Sequence, residues 1–251
     1  MKKILILLVL FIVSSCVFAQ EAELEYKFKE NAHHKFKEKS VIKHEANVLN
    51  QSISSITEML IDIDEITVSV GDKAKIKQVS AVEESSIDGK SNLDQIEDKT
   101  NTVYYEVDKL GKNYSVKDED EKDFPDFDAD KETPVFPGKK VKVGDTWERK
   151  MSVGDAKVKT VCKLEKLYSV KGVDIAKINL EFDDTVKVDS EDDAETIVKG
   201  TGIFYYAVNY GNDLYMNYDV NFEMNLPVDI EGVSGNANAK INYNYTYWRC
   251  E

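Results

Sequence analysis

Side chains alternate between apolar and polar along most of this chain, the period-two signature of half-buried β-strands. Leu214, Met216, Tyr218, Val220, Phe222, Met224 and Leu226 take seven successive even positions, with Tyr215, Asn217, Asp219, Asn221, Glu223 and Asn225 between them. Ala239, Ile241, Tyr243, Tyr245 and Tyr247 repeat the pattern against Lys240, Asn242, Asn244 and Thr246. Leu24, Tyr26 and Phe28 alternate with charge, as do Met59, Ile61 and Ile63, and later Val103, Tyr105 and Val107. At Asp64-Glu65 the phase slips by one, so Ile66, Val68 and Val70 continue the apolar face only if a bulge or bend re-aims the strand. Gly71-Asp72 reads as a tight turn into a strand over 73–82. The single weak helical candidate is Asn47 to Leu60. One apolar and one wet face per strand predicts an all-β fold with minor α, in which twisted antiparallel sheets form an open or partly closed barrel.

The pattern breaks once. Residues 117–140 carry the run Asp118-Glu119-Asp120-Glu121-Lys122-Asp123 and then Pro125, Pro134 and Pro137, three of the four prolines in the chain. Like-charge repulsion and missing backbone donors make this an acidic surface loop or linker between two β-rich halves, 20–116 and 141–251. Tyr105-Glu106-Val107-Asp108, followed by Gly111 and Tyr114, resembles Tyr206-Ala207-Val208-Asn209, followed by Gly211 and Tyr215. Two readings stand: the halves are related by duplication, or two hairpins look alike by chance.

The first residues point to export. Lys2 and Lys3 precede an apolar run from Ile4 to Val13, too short to span a bilayer, which takes about 20 residues, but suited to a secretory signal peptide. Val17-Phe18-Ala19 fits cleavage after Ala19, giving a leader over 1–19. Val13-Ser14-Ser15-Cys16 resembles a lipobox, giving a leader over 1–15 and a lipidated Cys16 anchored to the membrane. A periplasmic or cell-surface location is expected, including that of an outer-membrane-anchored lipoprotein. No later segment is apolar for long enough to be a transmembrane helix. The formal charge is −14, which disfavours phosphate backbones and excludes nucleic acid as an expected partner. Arginine appears only as Arg149 and Arg249, against thirty-one lysines, a balance that suggests an AT-rich bacterial genome.

Candidate chemistry is sparse. Outside the leader, Cys162 and Cys250 are an even pair in an oxidising compartment, hence a disulfide candidate, against a reading as two separate thiols. His33 and His34 point to opposite faces of a strand and cannot easily share a metal; with His44, they read as exposed residues of a Lys-rich strand. Asp126-x-Asp128-x-Asp130 opens like a calcium loop, but Lys131 and Pro137 occupy the positions that require Gly and Glu. Asp189-Ser190-Glu191-Asp192-Asp193 lacks turn glycines. There is no nucleophile elbow, P-loop or dinucleotide fingerprint. No catalytic residue, metal or cofactor is indicated, and the protein is not expected to be an enzyme.

The stretch Pro137-Gly138-Lys139-Lys140-Val141-Lys142-Val143-Gly144-Asp145-Thr146-Trp147 resembles a Pro-x-x-x-Val-x-x-Gly-Asp-Ser/Thr-Trp segment of uncharacterised bacterial envelope proteins and lipoproteins. In these it lies between two β-rich halves. The resemblance implies a structural segment, with Gly144-Asp145 turning the chain and Trp147 packing, and carries no catalytic residues. By architecture the chain is also similar to periplasmic carriers whose curved sheets enclose an apolar cavity, a fold-level analogy. Tyr205, Tyr218, Phe222, Tyr243, Tyr245 and Tyr247 are candidates to line such a cavity, against ordinary core packing. Long alternating strands also build outer-membrane barrels. The expectation is a non-catalytic cell-envelope protein that binds a lipid, lipoprotein segment or other hydrophobic ligand in a β-sheet cavity. The alternative is a structural or host-facing surface protein that binds a protein partner through charged loops, with a filled interior.

Overall fold

The computed structural model describes residues 21–250, except 49–50, 121, 125–126, 154–155, 188–194 and 231–232, and leaves out the side chains of 226–236. The expected leader with Cys16, Asp126 and the acid cluster at 189–193 lie outside the described residues. Among the described residues fourteen strands follow in order. They are β1 (Glu21–Glu23), β2 (His33–Val48), β3 (Gln51–Val70), β4 (Ala74–Ile87), β5 (Lys90–Ser91), β6 (Thr100–Val107) and β7 (Asn113–Lys117). After the acidic loop come β8 (Lys140–Lys142), β9 (Thr146–Val153), β10 (Ala156–Val170), β11 (Val173–Lys187), β12 (Glu195–Ala207), β13 (Asn212–Ile230) and β14 (Val233–Arg249).

All pairings are antiparallel, and one twelve-stranded sheet runs β7-β6-β4-β3-β2-β14-β13-β12-β11-β10-β9, with β5 added to β4. The two halves are therefore one sheet, joined where β14 lies beside β2 from Ala237↔Val48 to Arg249↔Phe36. The sheet is not closed by hydrogen bonds, because β7 and β9 remain its edges. This is the expected open, barrel-like all-β architecture. The described residues of the Asn47–Leu60 segment are extended, not helical: Asn47 and Val48 end β2 and Gln51–Leu60 begin β3, with ladder pairing from Val48↔Gln51 onward.

Alternation decides which face is buried. Ala176, Ile178, Leu180 and Phe182 of β11 face Val198, Phe204 and Tyr206 of β12 and Tyr218 and Val220 of β13 in one core. Outward positions carry charge pairs across neighbouring strands, including Lys177–Glu165 at 2.8 Å and Lys240–Glu223 at 2.9 Å, while Asn242 donates to Asp219 over 2.8 Å. Such pairs are the reverse of the apolar outer band that a membrane barrel presents to lipid.

The acidic loop does more than link halves. Phe136, 1% exposed, lies in the core, where its ring centroid is 4.6 Å from that of Tyr206 and 5.2 Å from that of Tyr26. Its N–H donates to Leu110 O in the β6–β7 turn over 3.0 Å, while Trp147 Nε1 on β9 donates to Val135 O over 2.9 Å. Residues 133–136 thus form a strap across the seam between the two sheet edges. The Pro137–Trp147 segment packs as its pattern implies: Val141 is buried, Gly144 has φ of 100°, and Asp145 accepts from Lys142 N–H at 2.8 Å.

The two thiols are free, Cys162 buried and Cys250 exposed. Cys162 lies on β10 and Cys250 directly follows β14, so four inter-strand steps separate them. At about 4.8 Å per step this exceeds the reach of a disulfide, about 7 Å between Cα atoms. Of the two readings, the structure has the separate thiols, and burial pushes the Cys162 thiol up to about 11.

Candidate functional site

Leu24 to Phe28 alternates as a strand would, yet it joins no sheet beyond the three residues of β1. It threads between two hairpin turns instead. Tyr26 N–H donates to Lys109 O at 2.7 Å in the β6–β7 turn, and Lys27 N–H donates to Gly211 O at 3.1 Å in the β12–β13 turn. Gly111 and Gly211 have φ of 82° and 68°. A Cβ on Gly111 would stand 2.7 Å from the Tyr26 ring, and one on Gly211 would collide with the Lys27 backbone. Both turns need glycine for conformation and for close approach. The likeness of the two Tyr…Gly…Tyr stretches thus corresponds to a shared task, clasping the N-terminal segment.

Beneath this segment lies a cavity of about 440 Å³. Its walls come from the N-terminal segment and from β2, β3, β4, β6, β7, β13 and β14, and include Phe28, Phe36, Ile76, Val103 and Val107. Into this apolar setting project two carboxyls, Glu65 and Asp213. Glu65 accepts from Tyr105 Oη at 2.9 Å, and Asp213 accepts from Tyr26 Oη at 3.0 Å. Burial disfavours the charged form. It raises Glu65 to about 7, against the hydrogen bond from Tyr105 and with the Asp213 charge adding to it. Burial likewise raises Asp213 to about 6, opposed by the Tyr26 hydrogen bond and by Arg149 and Arg249. Tyr26→Phe removes the donor that favours ionised Asp213. In that variant the carboxyl is expected to titrate about one pH unit higher, measured by carbon-13 shifts of the Asp213 side chain.

Two departures from simple alternation aim these acids inward. Strand β3 stays in register with β2 through Ile63↔Phe36, Asp64↔Lys35, Glu65↔His34 and Ile66↔His33, so the expected slip at Asp64-Glu65 does not occur. Glu65 and buried Thr67 continue the inner face, whereas Ile66, Val68 and Val70 are exposed. The irregularities of β3 fall between Leu60 and Ile61 and between Thr67 and Ser69, both against β4. On β13, Tyr205 pairs Tyr215 but Tyr206 pairs Asp213, leaving Leu214 as an extra residue. That bulge inverts the phase and puts Asp213 on the inner face with Tyr206.

Of the six aromatic candidates, Tyr247 alone borders this cavity, stacked on Phe36 with centroids 4.7 Å apart. Tyr218, Tyr243 and Tyr245 form a stacked cluster beside it, with Tyr218 and Tyr245 at 4.7 Å, and Phe222 packs against the core. Tyr205 faces the other way, against Tyr215 at 6.0 Å, because odd positions of β12 point outward. His34 is not the exposed residue expected: it borders the cavity, and its Nδ1 accepts from Arg249 at 2.8 Å. Burial and Arg249 lower its pKa, so imidazole is the stable form there. His33 faces outward and bonds Asp64. Both arginines thus act in the interior, since Arg149 and Arg249 each act on Asp213. A guanidinium keeps its charge when buried, where an ammonium yields it.

No group of three or more His, Cys, Asp or Glu side chains among the described residues could hold a metal ion. Asp128 instead accepts from the Asp130 N–H at 3.0 Å within its own turn. No protein-family model matches the chain, and no curated protein matches it significantly.

Proposed function

We propose that this is a non-catalytic, exported component of a bacterial cell envelope that holds a small, largely apolar ligand, such as a lipid-like amphiphile, in the cavity under its N-terminal segment. The single observation behind this reading is the cavity itself. At about 440 Å³ it falls within the range of small-molecule sites, roughly 300–1,000 Å³. Its walls combine apolar and aromatic side chains such as Phe28, Phe36, Ile76 and Val103 with polar groups such as Glu65, Gln78, Asn113 and Asp213, a mixture that can hold an apolar body and orient a polar head. Export is supported by Lys2-Lys3 and the apolar run from Ile4 to Val13.

Native mass spectrometry of protein taken from its own envelope is the direct test, paired with titration of an apolar fluorescent probe. A co-purified small amphiphile and saturable probe uptake are expected. Val103→Trp, which places an indole in the cavity, is expected to weaken uptake at least tenfold while the far-ultraviolet dichroism stays that of a β protein. Neither ligand nor uptake would sink the reading.

A further inference from the structure

We propose that the cavity recognises an organic cation: a primary ammonium carried on an apolar or aromatic body, with Glu65 as its counter-ion. This rests on the cavity-binding reading and supplies the head-group chemistry that reading leaves open. Three observations on different elements converge. Glu65 is enclosed by protein, and what acts on it is burial, the Tyr105 hydroxyl and the charge of Asp213; no cation among the described residues figures with them. Asp213 is a second acceptor on the same wall, and Asn212 beside it has a buried side-chain oxygen without a hydrogen-bond partner. Aromatic rings complete the enclosure: Tyr105, Phe28, and the stacked pair Phe36 and Tyr247.

Two carboxyls that each receive one neutral hydroxyl donor, with an amide oxygen that receives none, call for a ligand rich in N–H groups, and ring faces beside a carboxylate attract a cation through their quadrupoles. A buried acid next to an ammonium regains the ion pair that desolvation denies it. An anionic ligand would instead bring a third negative charge to Glu65 and Asp213.

The charges around the site are accounted for by element. The N-terminal segment supplies Tyr26, Lys27 and Lys29, with the Lys27 ammonium directed to Asn209 O at 3.3 Å. Strand β2 brings His34, which accepts from Arg249 of β14. Strand β6 brings Tyr105 and β14 Tyr247, while Arg149 of β9 acts on Asp213. The Lys29 ammonium also borders the site but does not figure in what acts on Glu65, so the Glu65 end is left to an incoming cation. Capture drives Glu65 toward its ionised form, so binding below neutral pH releases a proton.

Calorimetry and NMR with hexylamine, hexanol and hexanoate at about 0.15 M salt test this. At pH 8 hexylamine is expected to bind at least tenfold more tightly than hexanol, and hexanoate more weakly than either. At pH 5, where Glu65 holds its proton, the advantage of the amine should shrink by tenfold or more. Glu65→Gln should bring the amine to within about twofold of hexanol, with the Tyr105 and Tyr247 ring signals reporting occupancy. The pH comparison needs no variant, so it stands even if Glu65→Gln fails to fold. Amine and alcohol of equal affinity at pH 8, or hexanoate as the tightest probe, overturn the cation assignment and leave the cavity reading intact. If none of the three shifts the Tyr105 and Tyr247 signals, both fall.

Discussion

Phe136→Ala should lower the unfolding free energy by about 3–5 kcal/mol, the usual cost of removing a fully buried phenyl ring. The effect sits at the upper end for a single substitution because of where the ring lies. Phe136 belongs to no strand. It is carried by the strap and packs on Tyr26 of the N-terminal segment and Tyr206 of β12, so one side chain joins three parts of the chain. Residues within the sheet would keep their ladder bonds after truncation. The strap has only a few bonds to hold it, chiefly Phe136 N–H to Leu110 O and Trp147 Nε1 to Val135 O. Losing the ring should therefore loosen the seam between β7 and β9 as well as open a void. Chemical denaturation would read the loss, and a red-shifted tryptophan emission would report Trp147 leaving its carbonyl. A loss below about 1 kcal/mol would mean that the acidic segment is a passive linker.

That segment shows where sequence reading succeeds and where it stops. Its composition announces a break in the strand pattern, and the break is real. Composition does not say that Phe136, amid acids and prolines, folds back into the core, because that depends on two sheet edges coming close in space. The long strands were legible since period-two alternation is a local property: Met216, Tyr218, Val220 and Phe222 point inward as read. The site was hidden for the same reason. It consists of the positions that break alternation, and a carboxylate at an inward position looks like a phase slip. At Glu65 the register holds and the acid faces inward; at Leu214 the register shifts and Asp213 is turned in. The two cases are distinguishable only through the partner strands, β2 for the first and β12 for the second. Tyr247 is both aromatic and in phase, so alternation alone points it to the inner face where it borders the cavity, whereas the scarcity of arginine says nothing of where Arg149 and Arg249 lie.

Raising the pH from 4 to 8 should destabilise the ligand-free protein through Glu65 and Asp213. In the unfolded chain these carboxyls ionise near 4, whereas in the fold they do so at about 7 and about 6. Between those limits the folded state holds protons that the unfolded state has lost. Stability then falls as pH rises, and the loss is complete once the folded pKa is passed. For Glu65 alone the loss is about 3 kcal/mol. Exposed ion pairs such as Lys240–Glu223 at 2.9 Å, in which the bond from Lys240 holds the carboxyl below its ordinary range, act in the opposite sense at the acid end, so the informative quantity is a difference between variants. Glu65→Gln keeps the shape of the protonated acid and cannot ionise. It should match the parent at pH 4 and exceed it by about 3 kcal/mol at pH 8, measured by urea unfolding at the two values. A variant weaker than the parent at pH 8 would show that the fold supplies Glu65 with a cation of its own, and would count against an ammonium ligand as its counter-ion. If the variant gains as expected, the parent bears at neutral pH an electrostatic cost that only binding relieves.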